Sequence, residues 1–178
     1  IGTGASYSLS NNNSCMSLTY SQGSTSSLTL NGSSLSVNGN VTISNPSFSG
    51  TNALNINNGF VTVTGNVTVG SGTSQGARVA RIFVSSGSLT IGGNLVYNTG
   101  NVSSGIVDLS GGTATLNIAG NITLNTAGTL SPGTSSTVNY NGSLAAQNIT
   151  FGSGISYYNL SLNNSSTSGV SLVSSVST

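Results

Sequence analysis

The chain has 178 residues, one domain's length, and three of them are charged: Arg78, Arg81 and Asp108. Gly, Ser, Thr and Asn supply 108 residues, and His, Lys, Glu and Trp are missing altogether. Paired acid–base catalysts, Ser-His-Asp triads, metal-ligand clusters and Schiff-base lysines are therefore excluded, so no enzyme activity, cofactor or metal is expected, and a net charge of +1 is too small for nucleic acid to be an expected partner.

No run of about 18 apolar residues is present, so no membrane-spanning helix is expected. The chain begins at Ile1 without a basic stretch and apolar h-region, so an export signal is expected to have been removed or to lie outside the sequence. So little charge gives little colloidal repulsion, and self-association is expected. Cys15 stands alone and reads as a small, partly buried apolar side chain, with an intermolecular disulfide as the alternative.

In chain order, residues 1–27 have no clear register and read as an N-terminal cap, a partial coil or a docking strand, although Asn13 falls one period ahead of Asn40. From residue 28 to 178 the sequence repeats. The phrase Gly-Asn followed by alternating apolar residues recurs at Gly39-Asn40-Val41, Gly65-Asn66-Val67, Gly93-Asn94-Leu95 and Gly120-Asn121-Ile122, with the variant Gln147-Asn148-Ile149. Each Asn follows an apolar pair such as Leu35/Val37, Val61/Val63, Leu89/Ile91 or Leu116/Ile118, and a third apolar pair lies upstream at Leu28/Leu30, Leu54/Ile56, Ile82/Val84 and Val107/Leu109. Period-2 alternation between Gly, Asn and Ser turns predicts three short strands for every 27 residues or so. The fifth unit departs: Ser143 and Ala145 stand at the apolar positions, with Val138 and Tyr140 displaced upstream, which predicts a longer corner or a bulge. The last unit is read as Val170/Leu172 before a corner at Ser175.

Three strands of this length cannot bury their inner faces alone, but successive units can bury them against one another. The expected fold is all-β, a parallel β-solenoid (β-helix) of about six coils and on the order of 30 Å long at ~4.8 Å per coil. Asn40, Asn66, Asn94, Asn121 and Asn148 are then expected to form an inward ladder of amides, or to be outward turn residues chosen for tolerance of left-handed backbone angles. Asp108 lies 27 residues after Arg81, so an ion pair between adjacent coils is expected, while Arg78 reads as a surface-loop residue. An outward column of Thr42, Thr68, Thr123 and Thr150, interrupted by Val96 and continued by Ser177, is the candidate ligand face, for ice or a surface glycan.

The stretch Val138-Asn139-Tyr140-Asn141-Gly142, Ala146-Gln147-Asn148-Ile149 and Tyr157-Tyr158-Asn159-Leu160-Ser161-Leu162 resembles a module of large secreted and surface proteins of Bacteroidetes-type bacteria. The Gly-Asn-Val-Thr-Val units resemble the solenoid repeats of those proteins and of autotransporter-type adhesins. The resemblance implies an extracellular or cell-surface, non-catalytic structural or adhesive role, and carries over no functional residue. The repeat runs to Val170–Thr178 with no capping segment, so the expected partner is self: end-to-end stacking into a homo-oligomer or filament, or continuation as an adhesin shaft.

Overall fold

The protein is described by a computed structural model covering residues 5–70, 77–99, 104–125 and 127–174. Its strands follow the alternation of the sequence. The first coil consists of β1 (Ser6–Leu9), β2 (Asn13–Cys15) and β3 (Leu18–Tyr20), and the second of β4 (Ser26–Leu30), β5 (Ser34–Val37) and β6 (Val41–Ile43). The third is β7 (Gly50–Asn57), β8 (Phe60–Val63) and β9 (Val67–Val69), and the fourth β10 (Arg78–Val84), β11 (Ser88–Ile91) and β12 (Leu95–Tyr97). The fifth is β13 (Gly105–Asp108), β14 (Thr115–Ile118) and β15 (Ile122–Leu124), and the sixth β16 (Thr129–Ser131), β17 (Thr137–Tyr140) and β18 (Gln147–Phe151). Strands β19 (Asn159–Leu162) and β20 (Val170–Ser174) belong to a further turn.

Every strand pairs in parallel with its counterparts one coil away, which makes the fold a β-solenoid of about six turns. The first face stacks β1, β4, β7, β10, β13 and β16, and the second stacks β2, β5, β8, β11, β14, β17 and β19. The third stacks β3, β6, β9, β12 and β15, with β18 and β20 as a separate pair beyond it. Inward residues form unbroken columns: Leu35, Val61, Leu89, Leu116 and Val138 succeed one another on the second face, and all are buried. Removing such a side chain from water is worth about 1.5–3 kcal/mol, and the columns collect that gain at every level. Val, Ile and Leu occupy them because branched side chains fit a pleated surface with one buried face.

The register corrects four expectations. Residues 5–27 hold a complete short coil: Leu18 pairs with Val41 and Cys15 with Val37, so Asn13 stands opposite Leu35 and Ser17 takes the place of Asn40. Arg78 is no loop residue, because it opens β10 opposite Gly50; the adjoining Gln75-Gly76 lies outside the described residues. In the fifth unit Val138 and Tyr140 pair with Leu116 and Ile118, which leaves residues 141–146 to form the longer corner. Finally, Val170 and Leu172 pair with Gln147 and Ile149 and therefore follow a corner instead of preceding one. Ser171 is the counterpart of Asn148, and Ser175, Val176 and Ser177 lie outside the described residues.

Candidate functional site: corner, faces and ends

The Gly-Asn phrase has a steric and a polar cause. At Gly65, Gly93 and Gly120 a Cβ would run into the Asn Oδ1 and Gly carbonyl of the coil before it, so only glycine lets successive corners stack this closely. The next residue then closes the ladder. The backbone N–H groups of Asn66, Asn94, Asn121 and Asn148 donate to the Oδ1 atoms of Asn40, Asn66, Asn94 and Asn121 at 2.8, 2.7, 2.7 and 2.6 Å. The column lies on an outer corner, where its members are exposed or half-buried, and none takes a positive φ. It is therefore neither an inward ladder of amides nor a set of left-handed turn residues. Side-chain carbonyls satisfy amides that the corner turns away from the sheets.

Gln147 replaces the glycine at the sixth corner. Buried, it donates through Nε2 to the carbonyls of Ile118 and Gly120 at 2.9 and 2.6 Å, and its Oε1 accepts from the Gly142 amide and Asn164 Nδ2 at 2.8 and 3.0 Å. Four hydrogen bonds from one amide fill the volume that the longer corner opens.

The Arg81 guanidinium meets Asp108 at 2.6 Å, though not by direct opposition. Arg81 pairs with Ile106 and Phe83 with Asp108, so the ion pair runs diagonally across the outer side of the first face. Arg81 also lies 4.8 Å from the centre of the Phe83 ring. Burial works against the Asp108 charge, but hydrogen bonds from the Ser110 hydroxyl and amide and from Arg81 outweigh it and hold the carboxyl below its ordinary value. With Arg81 36% exposed, water screens the pair, and its contribution is about 1 kcal/mol at most.

Thr42, Thr68, Val96 and Thr123 stand in one outward register on the third face, with Thr19 ahead of them. Thr150 follows on β18, where its hydroxyl donates to the Ile122 carbonyl at 3.2 Å. Each strand of this face is three residues long over the first five coils, so the column is one residue wide. A broader polar surface lies on the second face and was not singled out from the sequence. There Ser36, Thr62, Thr90, Asn117 and Asn139 point outward in register. Asn117 Nδ2 donates to Thr90 Oγ1 at 3.1 Å, Asn139 Nδ2 to Asn117 Oδ1 at 3.1 Å and Asn163 Nδ2 to Asn139 Oδ1 at 2.9 Å. Their constant offset from the corner asparagine was the available signal.

The core toward the sixth coil is aromatic. Tyr97 donates to the Thr129 carbonyl at 2.9 Å, and Tyr140 bonds the Tyr157 hydroxyl at 2.9 Å, which in turn donates to the Thr150 carbonyl at 2.8 Å. Burial pushes the Tyr97 and Tyr140 phenols far up, and the Tyr157 phenol to about 12.

At the last described turn the columns come to the surface. Leu162 lies opposite the fully buried Tyr140 yet is 48% exposed, and Leu172 lies opposite the fully buried Ile149 yet is 71% exposed. Tyr7, opposite Leu28, is 50% exposed in the first coil. All three charges lie on the fourth and fifth coils, and β1–β3, β19 and β20 hold neither charge nor proline.

No protein-family model matches the chain, and no curated protein or solved structure matches it. The resemblance of residues 138–162 to bacterial surface modules thus rests on those residues alone.

Proposed function

We propose that the protein is a non-catalytic, extracellular structural element, a β-solenoid shaft or filament subunit that extends by stacking coil on coil. The observation that carries this reading is the exposure of Leu162 and Leu172 in columns that are fully buried one coil earlier. Edge strands ordinarily carry lysines, prolines or bulges that prevent further pairing. Here the terminal strands carry no charge and no proline, so a further parallel strand meets no repulsion and finds apolar side chains waiting at alternate positions. That strand comes either from the same chain, as in an adhesin shaft, or from a second copy, as in a filament. Contacts of the second kind are heterologous and grow without closing.

The test is sedimentation across a concentration range, comparing the wild type with Leu162→Lys and Leu172→Lys. Growth of large species in the wild type, lost in both variants while the β-sheet signal stays, is the expected result. Monomeric behaviour of the wild type at all concentrations speaks against a filament, and growth undiminished in both variants speaks against stacking at this end.

A second reading rests on the aligned threonines of the third face, whose uncharged, evenly spaced hydroxyls suit ice or a surface glycan. Replacing Thr68 and Thr123 with bulky residues then abolishes crystal shaping or glycan binding and leaves assembly unchanged; loss of neither activity removes this reading.

A further inference from the structure

Four asparagines precede a glycine: Asn31, Asn38, Asn58 and Asn141. In such a pair the glycine amide nitrogen can attack the asparagine side-chain carbonyl carbon. The C–N bond of the side-chain amide breaks and ammonia leaves, giving a succinimide, and water then opens the ring to aspartate or isoaspartate. No side chain on the glycine hinders the attack. The fold decides which of the four nitrogens is free to turn toward its neighbour.

Two of them are held. The Gly59 amide donates to the Ile56 carbonyl at 2.8 Å, and the Gly142 amide donates to Gln147 Oε1 at 2.8 Å in buried surroundings. Among the described residues the Gly32 and Gly39 amides donate no hydrogen bond. At Asn31, however, the side-chain carbonyl accepts from Asn57 Nδ2 at 3.1 Å and is fixed by it. The exposed Asn38 side chain has no such hold. Gly39 is exceptional at its own corner, because Gly65, Gly93 and Gly120 each donate to the glycine carbonyl of the preceding coil at 2.9 Å.

The ladder asparagines next to it are protected twice. Their Oδ1 atoms are engaged, and the amides that follow Asn40, Asn66 and Asn94, those of Val41, Val67 and Leu95, donate to the next coil at 2.9 Å. Branched side chains on those residues hinder the ring closure further.

We infer that Asn38 is a site of spontaneous deamidation in the folded protein, the first of the four Asn-Gly pairs to react. The product adds a carboxylate to a chain that has one acidic side chain. Isoaspartate also lengthens the backbone by one methylene just before Gly39, whose carbonyl accepts the Gly65 amide at 2.9 Å and whose Cα lies against the Met16 carbonyl. The modification therefore strikes the beginning of the glycine and asparagine ladders.

The experiment incubates the folded chain in mildly alkaline buffer, with and without urea, and follows each asparagine by mass spectrometry with separation of isoaspartate. In the folded protein Asn38 is expected to react about tenfold faster than Asn58 or Asn141, the factor set by a hydrogen bond that must open first. In urea the four sites converge. Asn38→Gln removes the fast phase and leaves the other sites unchanged, and the comparison within the wild type stands even if that variant folds poorly. Reaction at Asn58 or Asn141 as fast as at Asn38 in the folded state overturns the inference, and so does a ranking that urea leaves unchanged.

Discussion

At the scale of the residue, the corner asparagine works through its carbonyl oxygen, with the next coil's backbone as donor. Asn94→Ala strands the Asn121 amide at a half-buried corner and is expected to cost about 0.5–1.5 kcal/mol in denaturant unfolding. Asn94→Asp keeps an acceptor and is expected to cost less; equal losses would mean that the side chain matters for something other than accepting. A second residue-scale prediction concerns hydroxyls. Tyr20 is buried and its hydroxyl has no partner, so Tyr20→Phe is expected to be neutral or stabilising. Tyr97→Phe breaks the bond to Thr129 and is expected to cost about 1 kcal/mol. The same unfolding series reads both, and a larger loss at Tyr20 than at Tyr97 would contradict the assignment. The spacing of Asn40, Asn66 and Asn94 made the column legible, because identical residues at a coil's interval must stack. It did not reveal which atom bonds or whether the corner faces in or out, since both depend on the backbone's direction at the turn. Arg81 and Asp108 were legible as neighbours for a similar reason, but the coil between Phe83 and Asp108 is two residues shorter than the spacing used, so the pair closes diagonally.

At the scale of the element, the strands of the second to fifth coils could be read from alternation because each is bounded by Gly or Asn and has one buried face. The first coil escaped that reading. It has no Gly-Asn phrase, and Asn13 and Cys15 stand where the next coil has Leu35 and Val37. At the far end, alternation in Val170–Ser174 was legible but its face was not, because the corner at 141–146 had shifted the count. Glycine's part in the corner gives the prediction for this scale. Gly93→Ala forces a methyl group into the Asn66 side chain and the Gly65 backbone, neither of which is a flexible chain end. It is expected to destabilise the protein more than Asn94→Ala does, by about 1–3 kcal/mol as overpacking costs go. A smaller effect, measured by thermal unfolding, would mean that the corners are looser than their stacking indicates.

At the scale of the molecule, a chain with one acidic side chain and no histidine has little to titrate. The Asp108 carboxyl is held below its ordinary value, so its contribution is complete above about pH 4 and fades as the pH falls further. The buried tyrosines act at the other limb. Their phenols are raised in the folded state, with Tyr157 at about 12, so their contribution is complete below about pH 10 and is lost as the pH climbs through and past that value. The melting temperature is expected to stay level between about pH 5 and 9 and to fall steeply in alkali, with the acid limb flattened in Asp108→Asn. A maximum inside the level range would show that other titrating groups control the fold.

The parallel columns, the absence of charge at the ends and the exposed Leu162 and Leu172 together make extension by stacking the central claim about the whole molecule. Electron microscopy of the purified chain over a concentration series tests it most directly. Fibres of one uniform width that lengthen with concentration, with a repeat of about 4.8 Å along the axis, are the predicted result. Single short rods on the order of 30 Å long at every concentration would contradict assembly of this chain with itself.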